Sequence, residues 1–563
     1  EFLSRRLPMS QTMGTAAQDV TLNSRGNRSE FNLRGLGTNQ TLILINGHRM
    51  AGVAQLAGSR MDQPDLNGIP IAMVERVEVL PATASGIYGG SATAGVINII
   101  LKSEYKDGSI RLTYDNSFDT DSARQKASFT KGLSLEEGRT QILLSGSYSE
   151  SNELLARDRP FLERSRALLL ENLGDSAFTR ANMMRGNRAN FSANPGTILT
   201  LRDGTSLGSG IGSVPTGYGG YQTDGGAGLI PSAGTYDFSI PESIPGKANS
   251  LISSPTTSSF MGSITRDFTE NLRAFVEFGR TRNRTSMGYS TDAYSVTLLP
   301  ADAGNPFNNV VSVNFTAGVT SESEYLSDTD RVNAGLVYKL PGDWAISVEA
   351  NRNSSENKNA RAWITYDTAA VQAAIRSGAI DVLRDTTMYP IDLSAFEVDN
   401  ASAYGPSKGS TKEYVVRAGG PIASYDAGSA SLTASLATRK DWASSARSRT
   451  VFYPARGQKV DSAYLEAFIP IFSSRQDIPF VSKLDGQVSV RHDRYATTAV
   501  PQGPSLVFDP VTGEIPPYRY VKNEVSSTDF TVGLRYAPIE DLTFRGSFGT
   551  GFLPPSISQL GKS

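Results

Sequence analysis

The 563-residue sequence contains no cysteine, so it can build neither a disulfide framework nor a thiolate metal site. Histidine is almost as scarce. With only His48 and His492 present, a zinc-type centre made by the protein is not expected, and no metal or cofactor is assigned. No Ser/His/Asp grouping stands out, which leaves an enzymatic reading without support. Charge of one sign is also lacking: 54 Lys and Arg stand against 56 Asp and Glu, so there is no global case for a nucleic-acid partner. No run of about 18 apolar residues occurs, which excludes a transmembrane helix, and residues 1–10 lack the apolar core of a signal peptide. At 39% hydrophobic residues and a mean hydropathy of -0.26, the chain is too polar for a helical membrane protein. A transmembrane barrel would give the same averages, because lipid-facing and lumen-facing residues alternate along each strand.

What the sequence does contain is organised around residues 31–102. Thr41 to Ile45 and the residues from His48 onward read as a hairpin across Asn46-Gly47, a dipeptide whose members both tolerate positive φ. A short helix from Ile71 to Val74 follows, then strands at Arg76 to Leu80 and Val96 to Leu101. Gly35 and Gly37 do not form a nucleotide loop, since Gln40 stands where a third glycine is required and no helix follows.

From about residue 108 the pattern changes to period two. Leu272, Ala274, Val276 and Phe278 alternate with Arg273 and Glu277; Val332, Ala334, Leu336 and Tyr338 alternate with Arg331, Asn333 and Lys339. Each such segment predicts a strand with one apolar and one polar face. Thirteen are read, near 108–117, 123–132, 139–149, 258–268, 271–283, 325–339, 343–354, 411–418, 428–441, 459–471, 481–495, 524–537 and 541–552. The turns at 135–138, 269–270, 341–342 and 539–540 are tight, whereas 150–257, 284–324, 355–410 and 496–523 are long. Short turns on one rim and long loops on the other are what an outer-membrane barrel requires. An odd number of strands with an open edge cannot sit in lipid, so the chain is expected to be cut at its C-terminal end.

The blocks Asn32-Leu33-Arg34-Gly35, Leu44-Ile45-Asn46-Gly47-His48-Arg49, Val74-Glu75-Arg76-Val77-Glu78-Val79, Ile87-Tyr88-Gly89 and Gly95-Val96-Ile97-Asn98-Ile99-Ile100 resemble the plug domain of TonB-dependent outer-membrane receptors in order and spacing. The resemblance implies an all-β transmembrane barrel, here about 13 of an expected 22 antiparallel strands, with a small α+β plug inside. Residues 1–104 would be an N-terminally truncated plug and 105–563 a C-terminally truncated barrel. It further implies a monomer in the outer membrane of a Gram-negative bacterium. Such a receptor takes up a bulky nutrient, a ferric siderophore being the leading candidate and an oligosaccharide or vitamin the alternative. Its implied partners are outer-membrane lipid and lipopolysaccharide, together with TonB and its inner-membrane energising complex, which is reached through a TonB box outside the sequence. A barrel that displays its loops without active transport is the other reading.

Site residues follow from the same resemblance. Gln55, Arg60, Met61, Asp62 and Gln63 match the apical plug loop that touches ligand, and Arg34 with Glu466 is expected as a plug-to-barrel lock, the alternative being Glu466 as a lumen charge paired with a barrel arginine such as Arg491 or Arg535. Leu80 is followed by Pro81-Ala82, where the family commonly has a second lock arginine. Within 150–257, an arginine-rich first part suits anions or lipopolysaccharide phosphates. Tyr218, Tyr221, Tyr236 and Phe238 suit stacking on sugars or aromatic siderophores.

Overall fold

The Asn46-Gly47 turn is the point from which the inner domain is built. Asn46 (φ 50) and Gly47 (φ 81) are both left-handed, and they join β1 (Thr41–Ile45) to β2 (His48–Arg49) as the twist of a two-residue hairpin requires. The computed structural model describes residues 31–52, 63–67, 69–81, 83–90, 92–102, 107–183, 186–242, 246–289, 293–317, 321–361, 363–400, 404–447, 451–501, 506–509 and 512–554. In the inner domain, β3 (Val74–Leu80) and β4 (Gly95–Leu101) complete a four-stranded sheet of order β2-β1-β4-β3. The β1 sequence TLILI is buried throughout because β1 pairs in parallel with β4 inside the domain. The helix expected at Ile71 to Val74 is a single 3-10 turn, Ile71–Met73, and β3 begins directly after it.

The alternating segments form one antiparallel sheet of thirteen strands in strict sequence order. They are β5 (Gly108–Ser117), β6 (Thr120–Leu135), β7 (Thr140–Ser151), β8 (Ser254–Asp267), β9 (Leu272–Tyr289), β10 (Ser321–Leu340), β11 (Trp344–Arg361), β12 (Tyr404–Tyr425), β13 (Gly428–Ala443), β14 (Arg456–Ser473), β15 (Lys483–Ala499), β16 (Val521–Ile539) and β17 (Leu542–Gly549). Most run longer than the alternation predicts. The largest difference is β12, expected only at 411–418, where Gly419, Gly420 and Pro421 break the pattern. The strand continues past them because the pairing with β13 shifts register between Pro421 and Ala423, a bulge that accommodates the missing N–H.

The long connections are not loose loops. Asn190–Ala193 and Ile211–Ser213 from the first pair with Val311–Thr316 and Ala293–Leu298 from the second in a separate four-stranded antiparallel sheet. The third adds the helix Thr368–Arg376, capped by Asp367, whose carboxylate accepts from the N–H groups of Ala369 and Ala370. Phe191, Leu229, Val296, Phe307, Phe315, Val371 and Leu383 share one apolar core drawn from all three connections and from no barrel strand. We call this unit the cap.

Candidate functional site between plug, barrel and cap

The plug is seated on the barrel by its hairpin tip. Asn46 donates from Nδ2 to Glu277 Oε1 at 2.6 Å, and the other oxygen of Glu277 accepts from Arg331 Nη2 at 2.6 Å. Arg331 is only 4% exposed, so this is a desolvated pair holding a plug amide. Two residues on, His48 Nε2 meets Glu349 Oε2 at 2.9 Å. The carbonyl of Arg49 then accepts from the side-chain amides of Asn351 and Asn353, each at 2.9 Å, and the carbonyl of Gly52 accepts from Ser355 at 2.8 Å. The Arg49 guanidinium turns back into the plug, donating to the carbonyls of Tyr88 and Gly90 at 2.7 and 2.8 Å.

A second seat lies at the helical turn Ser85–Tyr88. Arg491 donates to the carbonyl of Ile87 at 3.1 Å, and the N–H of Gly90 donates to the Tyr495 hydroxyl at 3.2 Å. Gly86 allows this closeness: a Cβ there would lie 2.5 Å from Thr531 Oγ1 and 3.1 Å from the backbone of Phe530. Apolar contact between plug and barrel is confined to Leu143 and Met261 among the fully buried side chains that pack with the plug core. Polar lumen-facing residues therefore make most of the seat.

The expected site residues fall out differently. Gln55, Arg60, Met61 and Asp62 lie outside the described residues. Gln63, expected in the ligand-touching loop, is buried within the plug: it is 7% exposed, and its amide accepts from Phe31 N while donating to the carbonyls of Phe31, Thr38 and Thr41. It ties the plug together because a buried amide must satisfy all its groups. Asp65, nearby, accepts from Asn283 of the barrel at 3.0 Å. Gly52 is thus held to the barrel by Ser355, and Asp65 by Asn283, while Gln63 is held within the plug.

Arg34 and Glu466 are not joined among the described residues. Arg34 is exposed in a left-handed turn (φ 59). Glu466 does face the lumen, near plug residue Tyr88, but it accepts from the Tyr464 hydroxyl and from Gln487 Nε2, the latter at 2.9 Å. Nor do Arg491 and Arg535 take it, being paired with Asp493 and Asp485. What the sequence reading missed is that the hairpin meets the barrel through Glu277, Glu349 and the lumen asparagines. Their signal is Asn351, Asn353 and Ser355 at alternate positions of β11, buried polar residues aimed inward.

In the cap, the four aromatics are half-buried rather than displayed. Tyr218 packs on the cap core and donates its hydroxyl to Asp224 at 2.7 Å; Tyr221 donates to the carbonyl of Ala303 at 3.2 Å. Burial, hydrogen bonding to Asp224 and that carboxylate's charge push the Tyr218 hydroxyl far above its ordinary range. Tyr236 and Phe238 form a tilted ring pair 5.7 Å apart, with the Arg180 guanidinium 6.0 Å from the Tyr236 centroid. Asp381 joins first and third connections by accepting from the N–H of Tyr221 at 3.2 Å, and burial raises its carboxyl above the usual carboxylate range.

Comparison with known proteins accounts for this arrangement. The family model described as TonB-dependent Receptor Plug Domain matches residues 9–96, and that described as TonB dependent receptor-like, beta-barrel matches residues 259–563. The ferrienterobactin receptor of Escherichia coli (strain K12) is 38% identical over 86 residues, a match covering 15% of this chain and 12% of that protein. Among solved structures, the ferric yersiniabactin uptake receptor FyuA of Yersinia pestis aligns with a TM-score of 0.50 at 12% identity, over 98% of this chain and 61% of that one. The hemophore receptor HasR of Serratia marcescens aligns with a TM-score of 0.52 at 11% identity, over 98% and 60%. The chain thus spans about three fifths of these two solved receptors. With a matched plug, a matched barrel and the same fold, the chain belongs to the TonB-dependent receptors of the Gram-negative outer membrane, which are receptors and transporters rather than enzymes.

Proposed function

We infer that this receptor takes up a ferric siderophore, with the plug (1–104) closing the lumen of the barrel (105–563) until TonB, energised by the proton gradient, displaces it. The observation that carries the reading is the seat of the plug. Hydrogen bonds between Asn46, Arg49, Gly52, Ile87 and Gly90 of the plug and polar barrel side chains can be exchanged for water, so each contributes only about 0.5–1.5 kcal/mol net, or about 1.5–3 kcal/mol where the barrel group is the charged Glu277 or Arg491. A plug held in this way closes the lumen and can still be moved by an external pull. The likeness of an 86-residue stretch of the chain to a protein named ferrienterobactin receptor supports a siderophore as cargo. Gln55, Arg60, Met61 and Asp62 would supply the plug's contacts to it, and the Tyr236 and Phe238 pair beside Arg180 would supply those of the cap.

The test is uptake of radio-iron by cells carrying the full-length gene, with and without TonB, using catecholate and other siderophores, with labelled oligosaccharide and vitamin as parallel arms. TonB-dependent accumulation of iron supports the reading. Accumulation of only a sugar or vitamin would replace the cargo. Surface binding without accumulation of any substrate would overturn transport and leave loop display.

A further inference from the structure

A file of buried polar atoms runs down the lumen face of β10. Arg331 donates to the plug carbonyl of Ile45, so Tyr325, Ser327, Thr329 and Asn333, at alternate positions of the same strand, point inward with it. Tyr325 Oη, Ser327 Oγ, Arg331 Nε and Asn333 Oδ1 have no hydrogen-bond partner among the described residues. Two flanking atoms share that condition: Thr285 Oγ1 on β9, opposite Tyr325, and Asn353 Oδ1 on β11, opposite Arg331. All six residues are more than nine-tenths buried. At about 3.3 Å per residue, the file from Tyr325 to Asn333 is about 26 Å long.

Buried polar groups are normally satisfied, and a run of exceptions along one strand calls for a use. Its direction supplies one. A long connection enters β10 at Ser321 and a short turn follows Leu340, so the file leads from the cap side toward the opposite rim. Its upper members lie between two ties of the plug: Ser327 is opposite Asn283, which holds Asp65, and Thr329 is opposite Ser355, which holds Gly52. Its lower members lie at the hairpin, where Arg331 and Asn333 both face Glu277, the acceptor of Asn46. Cargo arriving from the cap meets the upper members first and the lower ones only after the hairpin has gone.

The chemistry of the file is selective. It offers three hydroxyls, two amide oxygens and one guanidinium N–H, and Glu277 offsets its single charge at 2.6 Å. Elsewhere the lumen is ionic: β13 carries Arg439 with Asp441, and β15 carries Arg491 with Asp493. Neutral hydroxyl and amide groups match the file, whereas an anion finds no uncompensated cation in it.

We propose that this face of β10, with Thr285 and Asn353, is the track along which a cargo bearing neutral hydroxyl and amide groups descends after the hairpin leaves its seat. Each hydrogen bond the cargo gives up is replaced by the next along the strand, so its polar groups are not stripped bare in transit. The proposal rests on the reading that cargo crosses the lumen when the plug is displaced.

The test uses cells carrying the full-length receptor, wild type and T285V/Y325F/S327A, with S489A as a control. Ser489 Oγ is likewise buried without a partner, but on β15, away from the file. The probes are radio-iron in a neutral trihydroxamate chelate and in an anionic tricatecholate; surface binding is measured on ice without energy, then the initial rate of TonB-dependent accumulation at saturation. The triple variant is expected to bind the trihydroxamate as wild type does and to accumulate it about tenfold more slowly or worse. S489A should match wild type in both. Removing hydroxyls that bond nothing in the resting receptor costs no stability, so the purified triple variant should melt at or above the wild-type temperature. An accumulation rate of the triple variant equal to or above that of wild type, or an equal slowing in S489A, would overturn the track. A lower melting point of the triple variant would do the same, because those hydroxyls would then serve the resting fold. A wild type that accumulates only the tricatecholate would overturn the match to neutral cargo while siderophore uptake stands; one that accumulates neither chelate would remove the siderophore reading and the track with it.

Discussion

The cap and the plug seat join parts of the chain that are far apart in sequence, and they do so by opposite means. The cap is held by an apolar core in which Phe191, Phe307 and Phe315 are essentially inaccessible to solvent. The plug meets the barrel mainly through asparagines, a serine and two acidic residues that reach its backbone and hairpin. Apolar burial gains strength from the removal of water and has no substitute once broken. Polar contacts are exchanged for water at small net cost. On the proposed function, the difference separates a unit built to stay closed from one built to be released: three outer connections share one apolar core, while the plug is held mainly by contacts that water can replace.

The contrast can be broken most severely in the cap. Phe307→Ala or Phe191→Ala should cost about 3–5 kcal/mol of cap stability through lost burial and the cavity left behind. The expected result is rapid proteolysis within the cap segments 186–242, 293–317 and 363–400 while the barrel stays folded in the membrane. Next in size is Glu277→Ala, which strands the buried Arg331 and removes the acceptor of Asn46. Loss of one partner from a desolvated ion pair should weaken the seat by on the order of 3 kcal/mol, read as increased permeability to large antibiotics with the cap still resistant to protease. Gly86→Val should act similarly through sterics, since the Phe530 backbone cannot give way. The double change Asn351→Ala/Asn353→Ala removes both donors to the Arg49 carbonyl and should cost about 1–2 kcal/mol.

The smallest effect concerns pH. Burial raises the Asp381 carboxyl, so the folded cap holds that proton to higher pH than the unfolded chain does. Its contribution thus favours the folded cap at acid pH and fades as pH rises above the ordinary carboxylate range. Asp381→Asn should flatten this dependence, as measured by cap hydrogen exchange corrected for intrinsic rates between pH 4 and 7. An unchanged slope would mean that Asp381 is solvated in the cap.

Much of the wall and the inner hairpin was legible in the sequence because both are local. Alternation along a strand and the Asn46-Gly47 turn need no distant information. The cap was not legible for the converse reason. Its strands are only three to six residues long, and Asn190 pairs with Asn314 from another connection, so no periodicity announces it. The helix Phe161–Leu173 was hidden in a segment read only for its arginines. The site was legible in part. Side-chain parity correctly sends Glu466 inward, but parity says nothing about height along the strand, and Tyr464 and Gln487 are its neighbours there. Gln63 shows the same limit: a polar residue at the end of an exposed-looking segment proves to be the buried tie of the plug.

The measurement that tests the contrast most directly is residue-resolved hydrogen exchange of wild type and Glu277→Ala in outer-membrane vesicles, following the amides of Leu42–Ile45 in the plug together with Phe191 and Val313 in the cap. The account predicts that the substitution lowers protection of the plug amides while those in the cap keep a common, unchanged opening free energy. A parallel loss of protection in both regions would contradict it, because plug and cap would then be one cooperative unit.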